Sequence, residues 1–280
     1  MEYVESRRTA IRERLSEVVA AVEPAELAGE MEHVTLAGGK LVRPTLTVLV
    51  CEAAGGDPDD AIDYAVGIEL VHNASLVVDD IIDRSEVRRS KSSAWAKYGH
   101  GQAIVASDGM LGEAFELFSA DARAMEVVAD AMVELGEGEA MELVDQPSDE
   151  AEYMDLARRK TGALFCAAAK LGAIAADADD DAIEAFGDYA ERVGIAFQIR
   201  DDVLDAIAEA DDLGKPTGHD AEMDRPSIIQ VTEMTPEEGD RLAHDLAEEA
   251  MEALARVELA DSEARTYLEE LATFVVERQR

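Results

Sequence analysis

The placement of proline constrains the fold of this chain more than any other feature of its sequence. The seven prolines separate long stretches rich in alanine, leucine and glutamate, and they stand at Pro24, Pro44, Pro58, Pro147, Pro216, Pro226 and Pro236. Because proline interrupts a helix interior and these other residues favour helices, the stretches between the prolines predict helices. β-Branched alternation with hairpin turns is missing. The sequence therefore predicts an all-α bundle of ten or more helices, with loops around residues 37–42, 84–95 and 206–220.

Two segments carry specific helix signals. Thr235, Pro236 and Glu238 have the order of a capping box with proline at the first helical position. Residues 147–176 predict one long helix that begins near Ser148. Because no repeat, low-complexity segment or linker interrupts the sequence, we expect a single domain over residues 1–280.

The charge balance limits the classes of partner. Lysine and arginine number 25 and aspartate and glutamate 63, which gives a formal net charge of −38. Nucleic acids and anionic lipids are bound by basic patches, so we expect neither as a partner. No uncharged apolar stretch reaches the length of about 18 residues that a membrane span requires, so we expect no span.

The acidic residues are spread along the whole chain, and this predicts a halophilic protein. Such a charge repels itself in dilute buffer, whereas in molar salt the Debye length falls to about 3 Å and the repulsion is screened. The two cysteines, Cys51 and Cys166, have apolar neighbours. We interpret them as free, buried thiols of a protein in a reducing cytoplasm.

Two aspartate clusters share one spacing, Asp79-Asp80-Ile81-Ile82-Asp83 and Asp201-Asp202-Val203-Leu204-Asp205. On a helix the first and last aspartates of each cluster lie about 5–6 Å apart on one face. Neighbouring carboxylates repel one another unless a cation joins them, and oxygen ligands suit Mg²⁺. The simplest alternative is that the aspartates of both clusters are ordinary solvent-exposed residues without a ligand. Both clusters continue strongly apolar segments, however, and acid on a largely buried helix needs a partner, so we favour metal binding.

In so acidic a chain, cations near these clusters are noteworthy. Residues 38–44, with the sequence GGKLVRP, combine a flexible turn with two cations just before a predicted helix. Such a loop can hold an anion through its backbone N–H groups and its charge. Other cations follow at Arg88-Arg89, at Lys160-Thr161 and at Gly214-Lys215-Pro216. Each alone would be a solvated surface charge, but together they surround the two clusters in sequence.

With these motifs the sequence resembles the trans-isoprenyl diphosphate synthases, or polyprenyl synthetases. The resemblance rests on Arg88-Arg89 and on GGKLVRP (38–44), ELVHNASLVVDDIID (69–83), KTGALF (160–165), FQIRDDVLD (197–205) and GKPTGHD (214–220). It implies a single helical bundle around a central cavity, in most cases a homodimer. It also implies the condensation of isopentenyl diphosphate with an allylic diphosphate, with Mg²⁺ as the cofactor.

The resemblance further implies a role for individual residues. Isopentenyl diphosphate would be bound by Lys40, Arg43, His72 and Arg89. The allylic diphosphate would be bound by Arg88, Lys160, Thr161, Gln198 and Lys215. The Mg²⁺ ligands would be Asp79, Asp83 and Asp201, with Asp80, Asp202 and Asp205 as further carboxylates. We count Asp79, Asp80, Asp83, Asp201, Asp202, Lys160 and Lys215 as the catalytic set.

This assignment agrees with the chemistry that the reaction needs. An allylic diphosphate must lose its pyrophosphate to leave a carbocation, which the isopentenyl double bond attacks before a proton is lost. Metal ions and local Lys and Arg residues would neutralise the leaving group, and apolar walls would keep water from the cation. No dedicated base is evident, and the released pyrophosphate is a plausible proton acceptor.

The sequence departs from the family's pattern after the arginines. Where the family has Gly and, two residues later, Pro, this chain has Ser90 and Ser92. Val78 stands where His is common, Glu139 where a Gln is found, and Asp224-Arg225 where a Gly-Lys pair is found. These departures predict a different geometry for the loop after Asp83, and with it a different efficiency and substrate preference.

The residues below the first cluster bear on product length. Ala74 and Ser75, five and four residues before Asp79, are both small, so no aromatic side chain stops the growing product at that level. Val71, Met110 and Phe115 are candidates for a deeper floor. We favour geranylgeranyl diphosphate (C20), with longer polyprenyl products as an alternative. An aromatic residue in place of Ala74 should shorten the product.

Two other functions stay open. A class I terpene cyclase shares the ionisation step but needs no second diphosphate site, so GGKLVRP and His72 weigh against it. A non-catalytic subunit of a heteromeric prenyl synthase would explain Ser90 and Ser92, but it would have no use for intact aspartate clusters.

Overall fold

The computed structural model describes residues 2–212 and 226–277, and the side chains of residues 2–207 and 226–277. In these residues the chain forms thirteen α-helices: α1 (Glu2–Ala20), α2 (Ala25–Thr35), α3 (Val42–Ala53), α4 (Ile62–Ile82), α5 (Ala94–Tyr98), α6 (His100–Phe118), α7 (Ala122–Val144), α8 (Glu150–Ala157), α9 (Ala163–Ala175), α10 (Asp180–Asp212), α11 (Ile228–Thr232), α12 (Pro236–Leu254) and α13 (Glu263–Glu277). A 3₁₀ turn at Pro58–Ala61 precedes α4, and a π turn at Arg158–Gly162 joins α8 to α9. The antiparallel strands β1 (Val87–Arg88) and β2 (Lys91–Ser92) lie between α4 and α5.

The predicted all-α fold is confirmed, and so is the capping box of α12. Glu238 N donates to Thr235 Oγ1 at 3.3 Å, and Thr235 N donates back to Glu238 Oε2 at 2.9 Å. None of the helices in residues 2–212 and 226–277 combines the length and the apolarity that crossing a membrane requires.

Three local predictions were wrong in detail. The helix predicted over residues 147–176 starts at Glu150 with Asp149 as its N-cap, and the π turn interrupts it. The loop predicted over residues 84–95 contains the two-stranded hairpin. The loop predicted over 206–220 begins later, because α10 continues to Asp212, and its remainder lies outside the described residues.

The chain forms two compact units, which are described separately. The first comprises Met1–Val127 and Leu171–Asp177. Its centre is α4, which is buried along most of its length and packs against α3 and α6. A Cβ at Gly67 would overlap the ring of Phe118, so this glycine lets α4 and α6 approach closely. The packing of α4 fixes the position of the first aspartate cluster, which forms its last turn.

The second unit comprises Val128–Lys170 and Ala178–Arg280. Its longest helix is α10, of 33 residues, which packs along α12. Phe186, Tyr189 and Val193 of α10 are fully buried, and Tyr189 Oη donates to Leu268 O of α13 at 2.7 Å. The second aspartate cluster follows these core residues on α10 and is held by the same packing.

Candidate active site

The first aspartate cluster forms the C-terminal end of α4. Asp83 is the C-cap residue, and its N–H donates to Asp79 O at 2.8 Å. The helical geometry therefore continues through the cluster and puts Asp79 and Asp83 on one face. Both side chains are partly exposed, whereas Asp80 is only 3% exposed. The three carboxylates thus have different surroundings, with two able to reach a ligand and one directed into the protein.

The buried carboxylate of Asp80 pairs with an arginine. Arg88 Nε donates to Asp80 Oδ1 at 2.8 Å. Burying a carboxylate costs free energy unless a charged or hydrogen-bonding partner offsets that cost, and Arg88 is the partner of Asp80. It also fixes the side chain of Arg88 beside the cluster.

A tight turn carries the next arginine. β1 and β2 pair Arg88 with Lys91, which leaves Arg89 and Ser90 as a two-residue turn. Their φ angles are 50° and 63°, and two left-handed residues are what a type I′ turn requires. Glycine or asparagine is favoured in such turns, so Ser90 carries a cost in backbone energy at this position.

Arg89 reaches back to the glycine-rich loop before α3. Its Nη1 donates to Gly38 O. A Cβ at Gly39 would lie 2.9 Å from Arg89 Cζ, and the φ of Gly39 is 142°. Both the available space and the backbone therefore require glycine at residue 39. Lys40, the next residue, is exposed.

Arg43 and His72 form a pair on α3 and α4. Arg43 Nη1 lies 3.2 Å from His72 Nε2. Burial, with the positive charges of Arg43 and Arg89, holds the pKa of His72 well below its usual range, so the ring is neutral and Nε2 accepts this bond. Burial also lowers the pKa of Arg43 to about 10, which leaves it charged at neutral pH. The first unit thus brings Arg43, His72 and Arg89 close to the glycine-rich loop.

Two aromatic residues that sequence reasoning missed hold the hairpin in place. Trp95 Nε1 donates to Ser85 O at 3.0 Å, at the start of the hairpin. His33 Nε2 lies 2.8 Å from Ser92 O, at its end. Both contacts are made to backbone oxygens at the ends of the hairpin segment. Every residue type has a backbone oxygen, so the sequence contains no side-chain pattern that predicts these contacts.

In the second unit the carboxylate of Asp202 is 8% exposed and is surrounded by donors. Tyr153 Oη donates to its Oδ2 at 2.6 Å, Ile228 N donates to the same oxygen at 2.8 Å, and Gln198 Nε2 donates to Oδ1 at 3.1 Å. Burial raises the pKa of Asp202 although these three donors oppose the change. Asp202 thereby connects α8, α10 and the start of α11.

The network continues to Thr161. Its Oγ1 donates to Gln198 Oε1 at 3.0 Å, so Thr161, Gln198 and Asp202 form one hydrogen-bonded chain. Asp201 is partly exposed and Asp205 is exposed. As in the first cluster, the middle aspartate faces the protein and its neighbours face outward.

Lys160 lies in the π turn, where short irregular turns often mark functional sites. Its Nζ is 3.2 Å from Glu139 Oε1 and also pairs with Glu142. A Cβ at Gly138 would lie 3.0 Å from Lys160 N, so α7 approaches the π turn closely. Glu139 therefore places a carboxylate directly beside Lys160. The predicted residue Lys215 lies outside the described residues.

The two outward-facing carboxylates of α4 fit Mg²⁺ that is shared with a phosphate ligand. Among the described residues, no three Asp, Glu, His or Cys side chains are grouped so that they could hold a metal ion alone. Mg²⁺ does not need such a group, since it takes one or two carboxylates and completes its shell with water and phosphate oxygens. In the first unit, Asp79 and Asp83 offer two carboxylates on one helix face.

We expect the Asp202 network to matter for stability. Asp202→Ala leaves the Tyr153 hydroxyl and the Ile228 N–H buried without an acceptor, so it should lower the free energy of unfolding by about 3–4 kcal/mol. Tyr153→Phe removes one donor and should lower it by about 1.5–3 kcal/mol. Denaturant titration followed by circular dichroism measures both changes. Asp205→Ala, on the same helix but exposed, should cost less than about 0.5 kcal/mol; an equal effect of the two alanine variants would contradict the prediction.

Comparison with known proteins gives consistent matches. A model of the polyprenyl synthetase family matches residues 24–261. A short chain isoprenyl diphosphate synthase from Methanothermobacter thermautotrophicus is 35% identical, over 95% of this chain and 95% of its own. A geranylfarnesyl diphosphate synthase from Aeropyrum pernix is also 35% identical, over 93% of this chain and 87% of its own.

Solved structures are similar over the same length. A geranylgeranyl pyrophosphate synthetase from Pyrococcus horikoshii has a TM-score of 0.88 and 36% identity, and the match covers 99% of this chain and 98% of that one. A polyprenyl synthase from Caulobacter crescentus, complexed with calcium and isoprenyl diphosphate, has a TM-score of 0.87 and 29% identity, over 100% of this chain and 97% of that one. The similarity therefore extends along nearly the whole chain.

Proposed function

Because the chain belongs to the polyprenyl synthetase family and is a trans-prenyl diphosphate synthase, we propose that it condenses isopentenyl diphosphate with an allylic diphosphate. Its relatives include synthases named for geranylgeranyl and geranylfarnesyl products, and we propose geranylgeranyl diphosphate as the main product. The main support for the proposal is one contact: Arg89 packs against the Gly38–Gly39 loop, beside the aspartates of α4.

We assign the binding of isopentenyl diphosphate to Lys40, Arg43, His72 and Arg89. The hairpin turn and the close approach of Arg89 to Gly39 support this role for Arg89, since they hold its guanidinium on the loop that carries Lys40. Neutral His72 orients Arg43 by accepting its hydrogen bond. Guanidinium groups suit a diphosphate because their N–H groups match its oxygens in pairs.

The allylic diphosphate is assigned to Arg88, Lys160, Thr161, Gln198 and Lys215. These residues would stabilise the negative charge that grows on the pyrophosphate as the allylic bond breaks. Asp79, Asp83 and Asp201 would hold Mg²⁺, which neutralises the same charge when it is bound. We assign Asp80 and Asp202 a positioning role, because each is buried and bonded to protein donors.

The carbocation left by ionisation is attacked by the isopentenyl double bond, and a proton is then lost. The released pyrophosphate would accept that proton, since no side chain of the assigned set is a suitable base. The apolar residues that precede both clusters, such as Val77 and Ile199, are buried and would exclude water from the cation.

The direct test is to incubate the protein in high salt with Mg²⁺, isopentenyl diphosphate and each allylic primer, and to separate the products by chromatography. Formation of a longer linear prenyl diphosphate by this chain alone supports the proposal. Cyclic hydrocarbon from one prenyl diphosphate would instead indicate a terpene cyclase. Activity that appears only after mixing with another chain would indicate a non-catalytic subunit.

Ser75 offers the clearest test of product length. It is partly exposed and lies one helical turn before Asp79 on the same face, whereas Ala74 is 1% exposed and its carbonyl accepts a bond from Ser107 Oγ at 3.1 Å. Ser75→Phe should shorten the main product by at least one isoprene unit, because the ring would block the growing chain. Ser75→Ala is the control and should leave the product unchanged. If Ser75→Phe leaves the product unchanged, the growing chain is not stopped at the level of Ser75.

Three further proposals concern the protein as a whole. We propose a single functional domain over residues 1–280, supported by structural matches that cover 99% of the chain. A homodimer is supported by the exposed apolar side chains of Ile104 and Val105 on α6. A cytoplasmic location is supported by the free thiols, of which Cys51 is buried and Cys166 is partly exposed.

A further inference from the structure

Two carboxylates of α7 hold the ammonium group of Lys160. Lys160 Nζ lies 3.2 Å from Glu139 Oε1 and also pairs with Glu142. Residues three apart lie on one face of a helix, so both carboxylates reach Lys160 from the same side. Each of the three side chains is only 14–19% exposed, and ion pairs shielded from water in this way are stronger than fully exposed ones. The proposed reaction gives these two glutamates no role.

The other two cations of the π turn pair with different carboxylates. Arg158 Nη1 lies 2.9 Å from Glu134 Oε2, and Arg159 Nε donates to Asp155 Oδ2 at 2.9 Å. A carboxylate beside an ammonium group favours its charged form, so Lys160 keeps both of its glutamates ionised. The group made of Lys160 and its two glutamates therefore carries one negative charge in excess. An anion that approaches Lys160 meets this excess charge.

The packing of α7 indicates which part of this group can move. A Cβ at Gly138 would lie 3.0 Å from Lys160 N and from Arg159 Cβ, so α7 packs directly on the backbone of the π turn. The backbone of Glu139, the next residue, is therefore fixed relative to that of Lys160. Lysine carries its charge at the end of a flexible four-carbon chain. A change of partner at Lys160 thus requires only the rotation of side chains, with α7 in place.

We propose that Glu139 and Glu142 compete with the allylic diphosphate for the ammonium group of Lys160 and thereby set the affinity of the site for this substrate. This inference rests on the proposed function, in which Lys160 binds the allylic diphosphate. The glutamates hold Lys160 while no diphosphate is bound, and a diphosphate must weaken those contacts to bind. When pyrophosphate leaves, Lys160 returns to the glutamates. Both are positioning residues, because they act through Lys160 rather than by contact with the substrate.

Calorimetry tests the competition directly. The ligand is an allylic diphosphate in which sulfur replaces the oxygen between the prenyl carbon and the phosphorus, so that it binds with Mg²⁺ in high salt without reacting. Glutamine keeps the size of glutamate and an acceptor oxygen but has no charge, so Glu139→Gln should bind this analogue about three- to tenfold more tightly than the wild type. Glu142→Gln is a second variant and should change the Kd in the same direction. Glu126→Gln, an exposed change of the same charge on α7, is the control and should keep the wild-type Kd.

A double-mutant cycle shows whether Glu139 acts through Lys160. In Lys160→Gln there is no ammonium group to compete for, so the added change Glu139→Gln should alter the Kd of the analogue by less than about twofold. Simple repulsion between Glu139 and the diphosphate would instead give the same gain with and without Lys160. A purely structural role of Glu139 would not depend on the charge of Lys160 in this way.

Steady-state kinetics should separate the two substrates. In Glu139→Gln the KM for the allylic diphosphate should fall, whereas the KM for isopentenyl diphosphate, which is assigned to other residues, should stay the same. Inorganic pyrophosphate has the same diphosphate oxygens as the allylic substrate. As a competitive inhibitor toward that substrate it should therefore bind more tightly to Glu139→Gln, by a similar factor.

The outcomes distinguish this inference from the proposed function. If the wild type does not bind the analogue, both are overturned. If it binds the analogue but forms no longer prenyl diphosphate from the two substrates, the function alone is overturned. Equal or weaker binding by Glu139→Gln overturns the inference alone, and weaker binding would mean that the glutamates hold Lys160 in its binding position. An equal gain in the presence and absence of Lys160 overturns it as well.

Discussion

Asp79→Asn is expected to reduce kcat/KM by about a thousandfold, or roughly 4 kcal/mol of transition-state stabilisation. Asp79 lies on the exposed face at the end of α4 with Asp83, and it is one of the few carboxylates there that can reach a ligand. Asparagine keeps the size and one oxygen but loses the charge that holds Mg²⁺ on the diphosphate. Steady-state assays over a range of Mg²⁺ concentrations should show a lower kcat together with a higher Mg²⁺ requirement.

The same variant should leave the binding of isopentenyl diphosphate unchanged. That substrate is assigned to Arg43, His72 and Arg89, and its binding without Mg²⁺ can be followed by calorimetry. Asp63→Asn, an exposed change of the same charge at the start of α4, is the matched control and should retain wild-type kinetics. If Asp79→Asn keeps more than about a tenth of the activity, Asp79 does not have the role proposed for it.

Much of the fold follows from local sequence. The capping box of Thr235 and Glu238 depends on residues within one turn of each other, so the sequence predicts it. The hairpin after α4 could not be predicted in this way. Its turn consists of Arg89 and Ser90, and neither residue type signals the left-handed backbone that both adopt. The π turn at Lys160 depends on how closely α7 packs at Gly138, which is a tertiary contact.

The sequence proposes site residues, but it does not predict how their side chains are oriented. Asp80 and Asp202 appear in the sequence as members of metal-binding clusters, yet both face the protein. A signal for this was available, because Asp80 lies three residues after buried Val77, and Asp202 lies three residues after buried Ile199. Their partners were not predictable, since Tyr153 lies 49 residues from Asp202 in sequence.

The second large effect concerns salt. We propose that the chain is adapted to molar salt, and we expect its Tm to fall by roughly 10–20 °C between about 3 M and 0.1 M KCl. The Debye length grows from about 3 Å at 1 M to about 10 Å at 0.1 M, so the acidic side chains repel one another over longer distances. A cost of about 5 kcal/mol would produce this change, at roughly 2–4 °C per kcal/mol for a chain of this size.

Ion pairs act in the opposite direction but cannot compensate. Low salt strengthens exposed pairs such as Arg256 with Asp188 and Arg192 with Glu249, each worth about 1 kcal/mol or less. The chain has 25 basic and 63 acidic residues, so most acidic side chains have no cation of their own. At low salt the repulsion that arises from the formal net charge of −38 is no longer screened. Repulsion should therefore prevail over pairing as the salt is removed.

Thermal unfolding by circular dichroism in a KCl series distinguishes screening from a general stabilisation of the folded state. Screening acts mainly below about 1 M, where the Debye length changes most, whereas salts that are excluded from the protein surface stabilise in proportion to their concentration. Sucrose is excluded in the same way but screens nothing, so sucrose in 0.1 M KCl should restore only part of the lost Tm. A Tm that rises linearly up to 3 M, or that sucrose restores in full, would mean that the acidic surface does not determine the salt requirement.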